Sequence, residues 1–210
     1  MTLPGEPGSC SSQIGQMMME GLWEVIGQTD TAELSAVVRQ SSPRIVNFPA
    51  AEQSNLSFDD LSTIQFALES LYGRLGGQGI ALQAGRTAGS QIFRRYGEQM
   101  GLQALDFRLL PGPHRVRVGL STLVIKISEL CCNRFIMSEN PDAWFWQNPF
   151  CPVCWQRQSD APACYFMVGI LQEFLSTISG GKLFNVVETE CRAVGETACI
   201  FRIDKQALEE

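Results

Sequence analysis

The chain reads Val187-Glu-Thr-Glu-Cys191-Arg-Ala-Val-Gly195-Glu-Thr-Ala-Cys199-Ile-Phe201 near its C-terminus. Apolar and polar residues alternate on both sides of a short polar segment, which is typical of two half-buried strands joined by a turn. We predict strands at 183–191 and 198–203, with Gly195 and Glu196 in a hairpin turn. Because Cys191 and Cys199 flank that turn, the hairpin carries a thiol at each side of its connection.

The rest of the chain predicts helices that pack on this sheet. Apolar residues recur at helical spacing in four long segments, and a segment dense in aromatic residues predicts a further strand. Ser57 is a good N-cap for the first helix, and the pairs Gly76-Gly77 and Gly180-Gly181 end helices. The predicted helices are 58–75, 80–100, 113–131 and 161–179, and further strand segments lie within 134–137 and 142–150. The fold class is therefore α/β of the α+β type, with helices first and then an antiparallel sheet with packed helices.

The N-terminal part differs in composition from the remainder. Residues 1–12 are rich in Gly, Pro and Ser, which favours a disordered tail. Helical spacing of apolar residues at 14–26 and 31–38 predicts an accessory helical extension, and the segment 41–57 with its two prolines predicts a linker. We divide the chain into a tail with a helical extension, residues 1–56, and a ligand-binding domain, residues 57–210.

Charge and hydropathy exclude several partners and locations. The 16 Lys and Arg residues against 22 Asp and Glu residues give a net charge of −6, so the field of the protein repels nucleic acid. The N-terminus lacks the basic region of a secretion signal, and the apolar runs are far shorter than the roughly 20 residues that cross a bilayer. We expect a cytoplasmic protein whose membrane contact is at most peripheral. Charged residues make up only 18%, which leaves weakly polar surface for a dimer interface or a protein partner.

Cysteines are concentrated around the predicted sheet and the last helix. Cys151-Pro-Val-Cys154 is a knuckle whose two thiolates can face one ion, and Cys164 lies near the start of the last helix. Thiolates in a tetrahedral array suit zinc, with bonds of about 2.3 Å. Two alternatives stay open, namely packing as small apolar side chains and an iron–sulfur cluster. The predicted metal ligands are Cys154, Cys164, Cys191 and Cys199, with Cys151 as a substitute, whereas Cys10, Cys131 and Cys132 are assigned to packing.

Two segments carry a resemblance to a known family. Cys164-Tyr-Phe-Met-Val-Gly169-Ile-Leu and the segment from Val187 to Phe201 resemble the C-terminal signature of 4-vinyl reductase-type, hydrocarbon-binding domains. Cys, Gly, Glu, Cys, Gly, Cys and an aromatic residue follow one another in the order of the family, and weaker similarity extends upstream over 60–205. The family includes a bacteriochlorophyll-biosynthesis protein, the effector-sensing domains of aromatic-responsive transcription activators and stand-alone cyanobacterial and archaeal proteins.

The resemblance implies a fold, a metal site and an oligomeric state. Its fold is shared with Golgi-tethering TRAPP subunits and haem nitric-oxide sensors. In the aromatic sensors three cysteines and a carboxylate bind zinc, and those cysteines resemble Cys164, Cys191 and Cys199. This chain departs from the pattern because it offers Cys151 and Cys154 upstream, and we predict Cys154 as the fourth ligand. The family also implies a closed apolar pocket and a homodimer, but no catalytic residue.

Aromatic residues upstream of the knuckle are the candidate pocket. Trp144 and Trp146 lie where the sensors of the family carry pocket-lining aromatic residues, and flat rings offer a planar ligand a large contact area. His114, the only histidine, is a candidate ligand for a tetrapyrrole metal or a hydrogen-bond donor to a bound molecule. The plainer alternatives are core packing for the tryptophans and a surface position for His114.

These features predict a binding protein rather than an enzyme. One histidine supplies little acid–base capacity, and no nucleotide fingerprint is present to bring a hydride donor. Glu188 is expected to support the metal site or to cap a turn, not to act in catalysis. The expected protein is a homodimeric module with a structural zinc ion and a pocket for a tetrapyrrole or another planar apolar molecule. A role in pigment supply or photosystem assembly would bring it to the periphery of the thylakoid membrane. The alternatives are a tetrapyrrole vinyl reductase and a ligand-free interaction scaffold.

Overall fold

Helices fill the first part of the chain and an antiparallel sheet dominates the last part, which confirms the predicted fold class. The computed structural model describes residues 9–10, 12–41, 56–131 and 133–208, with side chains for 13–27, 33–38, 57–131 and 133–208. Most of the predicted tail and linker lies outside the described residues. The helices are α1 Ser12–Ser41, α2 Phe58–Tyr96, α3 Leu105–Arg108, α4 Gly112–Leu130 and α5 Tyr165–Ser179. The strands are β1 Ser9–Cys10, β2 Leu56–Ser57, β3 Ile136–Glu139, β4 Ala143–Asn148, β5 Phe184–Glu190 and β6 Cys199–Ala207.

The main sheet has the strand order β3-β4-β6-β5, and every neighbouring pair is antiparallel. The predicted hairpin is present, since β5 and β6 pair on either side of a short 3₁₀ turn, Arg192–Val194. Gly195 ends that turn with a φ of 104°, a left-handed conformation that side chains with a Cβ rarely adopt. β1 and β2 form a separate two-stranded pair.

Ser57 caps α2 as the sequence predicts. Its hydroxyl accepts a hydrogen bond from the Asp60 amide at 3.2 Å, and its own amide donates to the Asp60 carboxylate at 2.9 Å, which together form a capping box. The predicted helix end at Gly76-Gly77 is wrong. The break lies at Gly73, whose φ is 71°, and beyond it the chain turns so that Gly77 lies against the backbone of Leu68 and Glu69. The glycine pair is therefore helical, because it is needed for this close approach.

One apolar core joins the helices to the sheet and includes α1 through residues such as Met17 and Leu22. α5 lies against α2 at a glycine crossing, where a Cβ on Gly169 would overlap the carbonyl oxygen of Leu82 and a Cβ on Gly85 would overlap that of Phe166. This contact fixes α5 beside the sheet and so fixes the position of its N-terminus. None of the described helices combines the length and the apolar character that a bilayer crossing requires.

Candidate metal centre

Five cysteines from three separate parts of the domain meet at one end of the sheet. Two come from the knuckle that follows β4, one from the N-terminus of α5, and two from the connection between β5 and β6. All five are buried, with at most 2% of their surface exposed. They are Cys151, Cys154, Cys164, Cys191 and Cys199. The structure thus brings together every cysteine that the sequence proposes as a metal ligand.

The sulfur atoms are spaced as ligands of single metal ions are. Cys154 and Cys199 Sγ lie 3.4 Å apart, and Cys164 Sγ lies 3.5 Å from Cys151, 3.9 Å from Cys191 and 3.8 Å from Cys199. Zinc–sulfur bonds of about 2.3 Å in a tetrahedron place neighbouring sulfurs about 3.8 Å apart. In a four-iron cluster each cysteine binds a different iron, which holds the thiolates further apart. The spacing therefore favours direct coordination of an ion.

Glu188 joins this cluster from β5, although the sequence analysis does not include it among the ligands. Its side chain is on the buried face of the strand and 7% exposed. Its Oε2 accepts a hydrogen bond from the Cys164 amide at 2.8 Å, and its Oε1 is buried without a partner among the described residues. Burial raises the pKa of Glu188 to about 8, and the nearby Cys191 thiol adds to the rise. The available signal was the alternation of β5, which turns Glu188 inward beside Cys191.

Two four-ligand groups can be drawn among the described residues. In each group all ligand atoms lie within 4.8 Å of one another. The groups share two cysteines, and Cys154 and Cys191 belong to different groups, so the predicted ligand set is divided between them. The first group is Cys151, Cys154, Cys164 and Cys199, and the second is Cys164, Glu188, Cys191 and Cys199.

Arg192 holds the knuckle against the β5–β6 connection. Its amide donates to Cys199 Sγ at 3.4 Å, and its guanidinium donates to the Pro149 carbonyl. The guanidinium carbon also lies 5.8 Å and 5.6 Å from the ring centroids of Phe150 and Trp155, within the range of cation–π attraction. Outer contacts of this kind orient metal ligands and are part of a metal site.

The knuckle is also tied to α2. Ser62 Oγ donates to the Trp155 carbonyl at 2.7 Å, and Arg157 forms an ion pair with Glu69 at 2.7 Å. A polar groove of about 940 Å³ opens beside Cys154, with Arg74, Arg157 and Asp160 among its lining residues. This groove gives an ion a polar approach to a cluster that is otherwise enclosed.

The cluster has the chemistry to exchange protons for a metal ion. Burial raises the pKa of Cys164 well above its usual range, and hydrogen bonds with the other cysteines act in the same direction. A thiol in this setting keeps its proton in the absence of a cation, whereas metal coordination stabilises the thiolate. The residues present therefore fit a thiophilic divalent ion such as zinc.

The last part of the chain matches a family model, that of the 4-vinyl reductase domain, over residues 147–205. This chain carries a 4-vinyl reductase domain. The match confirms the resemblance to domains of this type in the region that includes all five clustered cysteines and Glu188. No curated protein sequence matches the chain significantly.

Solved structures of H-NOX proteins share the fold of this 4-vinyl reductase-type chain. The H-NOX protein from K. algicida, in the Fe(II) unliganded state, is 10% identical, with a TM-score of 0.56, and the match covers 95% of this chain and 97% of that one. The protein from S. oneidensis, in the Fe(II)NO ligation state, is 11% identical, with a TM-score of 0.56 and coverage of 95% and 99%. A structure that probes haem distortion in the H-NOX family is 14% identical, with a TM-score of 0.52 and coverage of 95% and 97%. At these identities the likeness establishes the fold alone.

The other residues proposed from the sequence lie in different surroundings. Trp144 and Trp146 share the buried face of β4 and are 2% and 1% exposed, within the packed core. His114 is exposed on the first turn of α4, which agrees with its plainer interpretation as a surface residue. Cys131 is buried at the end of α4, outside both ligand groups. Cys132 and the side chain of Cys10 lie outside the described residues.

Proposed function

We propose that this 4-vinyl reductase-type chain is a non-enzymatic binding module in which a buried zinc centre holds the knuckle, α5 and the β5–β6 hairpin in register. The observation that carries the proposal is the convergence of five buried thiols and one buried carboxylate at tetrahedral spacing. These ligands come from segments up to 48 residues apart, from Cys151 to Cys199. An ion that joins such segments stabilises the folded domain directly.

The zinc proposal is tested by metal analysis of the purified full-length chain together with thermal unfolding. We expect at least one zinc ion per chain. Cys191→Ser should lower both the zinc content and the melting temperature, because the substitution removes a thiolate from the second ligand group. Full zinc occupancy with unchanged melting in this variant would contradict the proposal.

The bound small molecule is proposed to be planar and apolar, with a tetrapyrrole as the leading class. Haem distortion is the subject of one H-NOX study among the structural neighbours, and the chain has the same fold. Trp146 supports the proposal because its Nε1 is buried without a hydrogen-bond partner among the described residues. A ligand carbonyl or carboxylate would satisfy that donor. The exposure of His114 disfavours a haem held by an axial histidine and favours contact through rings.

The ligand proposal is tested by adding a metal-free porphyrin to the zinc-loaded chain. We expect saturable quenching of tryptophan fluorescence and a shift of the porphyrin absorbance, with no change in the porphyrin itself. No saturable binding would leave the alternative of an interaction scaffold. Conversion of a divinyl to a monovinyl tetrapyrrole in the presence of a reductant would favour the vinyl reductase instead.

Two narrower proposals depend on this one. If the ligand is a chlorophyll precursor, the module serves pigment supply or photosystem assembly at the thylakoid surface, and the chain purified from a phototrophic host should carry a visible absorption band. A homodimer is proposed from the low share of charged residues and from the habit of the family. Light scattering that gives a mass near 23.2 kDa, the mass of one chain, at micromolar concentration would contradict the dimer.

A further inference from the structure

The cluster contains more ligands than one tetrahedral ion can use. A structural zinc ion takes four ligands, whereas five Sγ atoms and the Glu188 carboxylate meet here. Whichever group of four is filled, two further ligands remain buried beside the ion. Filling the second group leaves Cys151 and Cys154 over, and filling the first leaves Glu188 and Cys191. Buried polar groups without partners are costly, so the surplus calls for an explanation.

The two ligand groups are arranged as two tetrahedra that share one edge. The shared edge joins Cys164 and Cys199, whose Sγ atoms are 3.8 Å apart. On one side of this edge lies the knuckle, with Cys151 Sγ 3.5 Å from Cys164 and Cys154 Sγ 3.4 Å from Cys199. On the other side Cys191 Sγ is 3.9 Å from each shared sulfur. A thiolate sulfur has several lone pairs and can bind one ion on each side.

We propose that the cluster is a two-ion centre in which the thiolates of Cys164 and Cys199 bridge the ions. Cys151 and Cys154 complete the first ion, and Glu188 and Cys191 complete the second. The inference rests on the proposed metal binding, but it concerns the number of ions and the bridging residues. Five thiolates and one carboxylate carry six negative charges, and two divalent ions offset four of them. Arg192, whose guanidinium lies against the knuckle, supplies a neighbouring positive charge.

The two-ion centre also gives the knuckle a purpose that a one-ion site lacks. Cys164, Glu188, Cys191 and Cys199 form a complete set of four without it. The knuckle nevertheless turns both of its thiols into the cluster, and contacts from Arg192 and α2 hold it there. A second ion bound by Cys151 and Cys154 explains why both thiols are buried at ligand distance.

The test is cadmium-113 NMR of the full-length chain after exchange of its metal for ¹¹³Cd, with the metal content measured on the same sample. We expect two ions per chain and two resonances that split each other, because the ions are joined through shared thiolates. Two resonances without mutual splitting would overturn the bridging assignment. One ion per chain would overturn the two-ion centre and leave the proposed zinc module intact, whereas no bound ion would remove both.

Variants assign the ligands to the two ions. The double variant Cys151→Ser, Cys154→Ser should retain one ion per chain, and Cys131→Ser, a buried cysteine outside both groups, should retain two. Two ions in the double variant would contradict the role of the knuckle. If the double variant does not fold, the spectrum of the unsubstituted chain still decides between one ion and two.

Discussion

β4 and β6 run side by side from a tryptophan end to a cysteine end, and the two ends differ in what fills them. Trp144 faces Ile203 and Trp146 faces Phe201 across the ladder, whereas the last pair joins Asn148 to Cys199. At the tryptophan end the neighbours are apolar, and the Phe135 ring centroid lies 5.5 Å from that of Trp146. At the cysteine end the neighbours of each sulfur are other sulfurs and a carboxylate.

The difference shows which kinds of site a structure without ligands can reveal. Ligands of an ion keep a definite spacing in their folded positions, so the cysteine end displays a metal centre through the distances between its atoms. Aromatic side chains at the tryptophan end pack closely, because apolar surfaces gain free energy by filling space. A planar ligand would have to displace that packing, and its site shows only through the unpartnered Nε1 of Trp146.

The largest expected effect comes from Cys199→Ser, which alters a sulfur that belongs to both ligand groups. We expect loss of metal and a fall of at least about 4 kcal/mol in the free energy of unfolding, because structural metal binding contributes to folding. The measurement is denaturant unfolding with metal analysis. Cys131→Ser is the control and should cost about 1 kcal/mol with full metal content.

A chelator sharpens the same comparison. It should lower the melting temperature of the unsubstituted chain and of Cys131→Ser, but leave Cys199→Ser unchanged because that variant has no metal to lose. An equal response of all three proteins would mean that the cysteine end does not owe its stability to an ion.

The next effect concerns α5, which connects the cysteine end to the helices. Gly169→Ala would push a Cβ into the carbonyl oxygen of Leu82, and overpacking of this kind costs about 1–3 kcal/mol. We expect a lower melting temperature with unchanged metal content, because the ligands of the cluster come mostly from other elements. Gly79→Ala is the control, since a Cβ at Gly79 meets nothing within 4 Å, and it should stabilise α2 by about 0.5–1 kcal/mol. Equal melting of both variants would contradict the close crossing.

Local signals explain what the sequence could predict. The β5–β6 hairpin follows from alternation and Gly195, α5 follows from its apolar spacing and Gly180, and the Ser57 cap is visible three residues before Asp60. The meeting of the cysteines was predictable because the hairpin, the helix start and the knuckle are consecutive. These elements are also the region that the family model of the 4-vinyl reductase domain covers.

Other features depend on tertiary contacts that no local pattern carries. The break in α2 falls at Gly73 instead of Gly76-Gly77, because the chain turns back and needs Gly77 at the contact. The division of the cysteines into two groups depends on the direction of each Sγ atom. For the same reason the sequence left Glu188 out of the ligand set, although its alternation in β5 placed it on the inner face.

The smallest expected effect tests the tryptophan end through Trp146→Phe. This variant keeps an aromatic ring in the core but removes the indole donor, which is buried without a partner among the described residues. If a porphyrin accepts a hydrogen bond from Nε1, its affinity should fall by about 1 kcal/mol, roughly fivefold. Binding is measured through the absorbance of the porphyrin, so that loss of a tryptophan does not alter the signal. Trp23→Phe, on the half-buried surface of α1, is the control and should bind as the unsubstituted chain does. Since Trp146→Phe also leaves a small cavity, its melting temperature is measured first, and binding is compared well below it. Equal affinities in all three proteins would move the ligand site away from Trp146, whereas weaker binding by both variants would point to a general loss of packing.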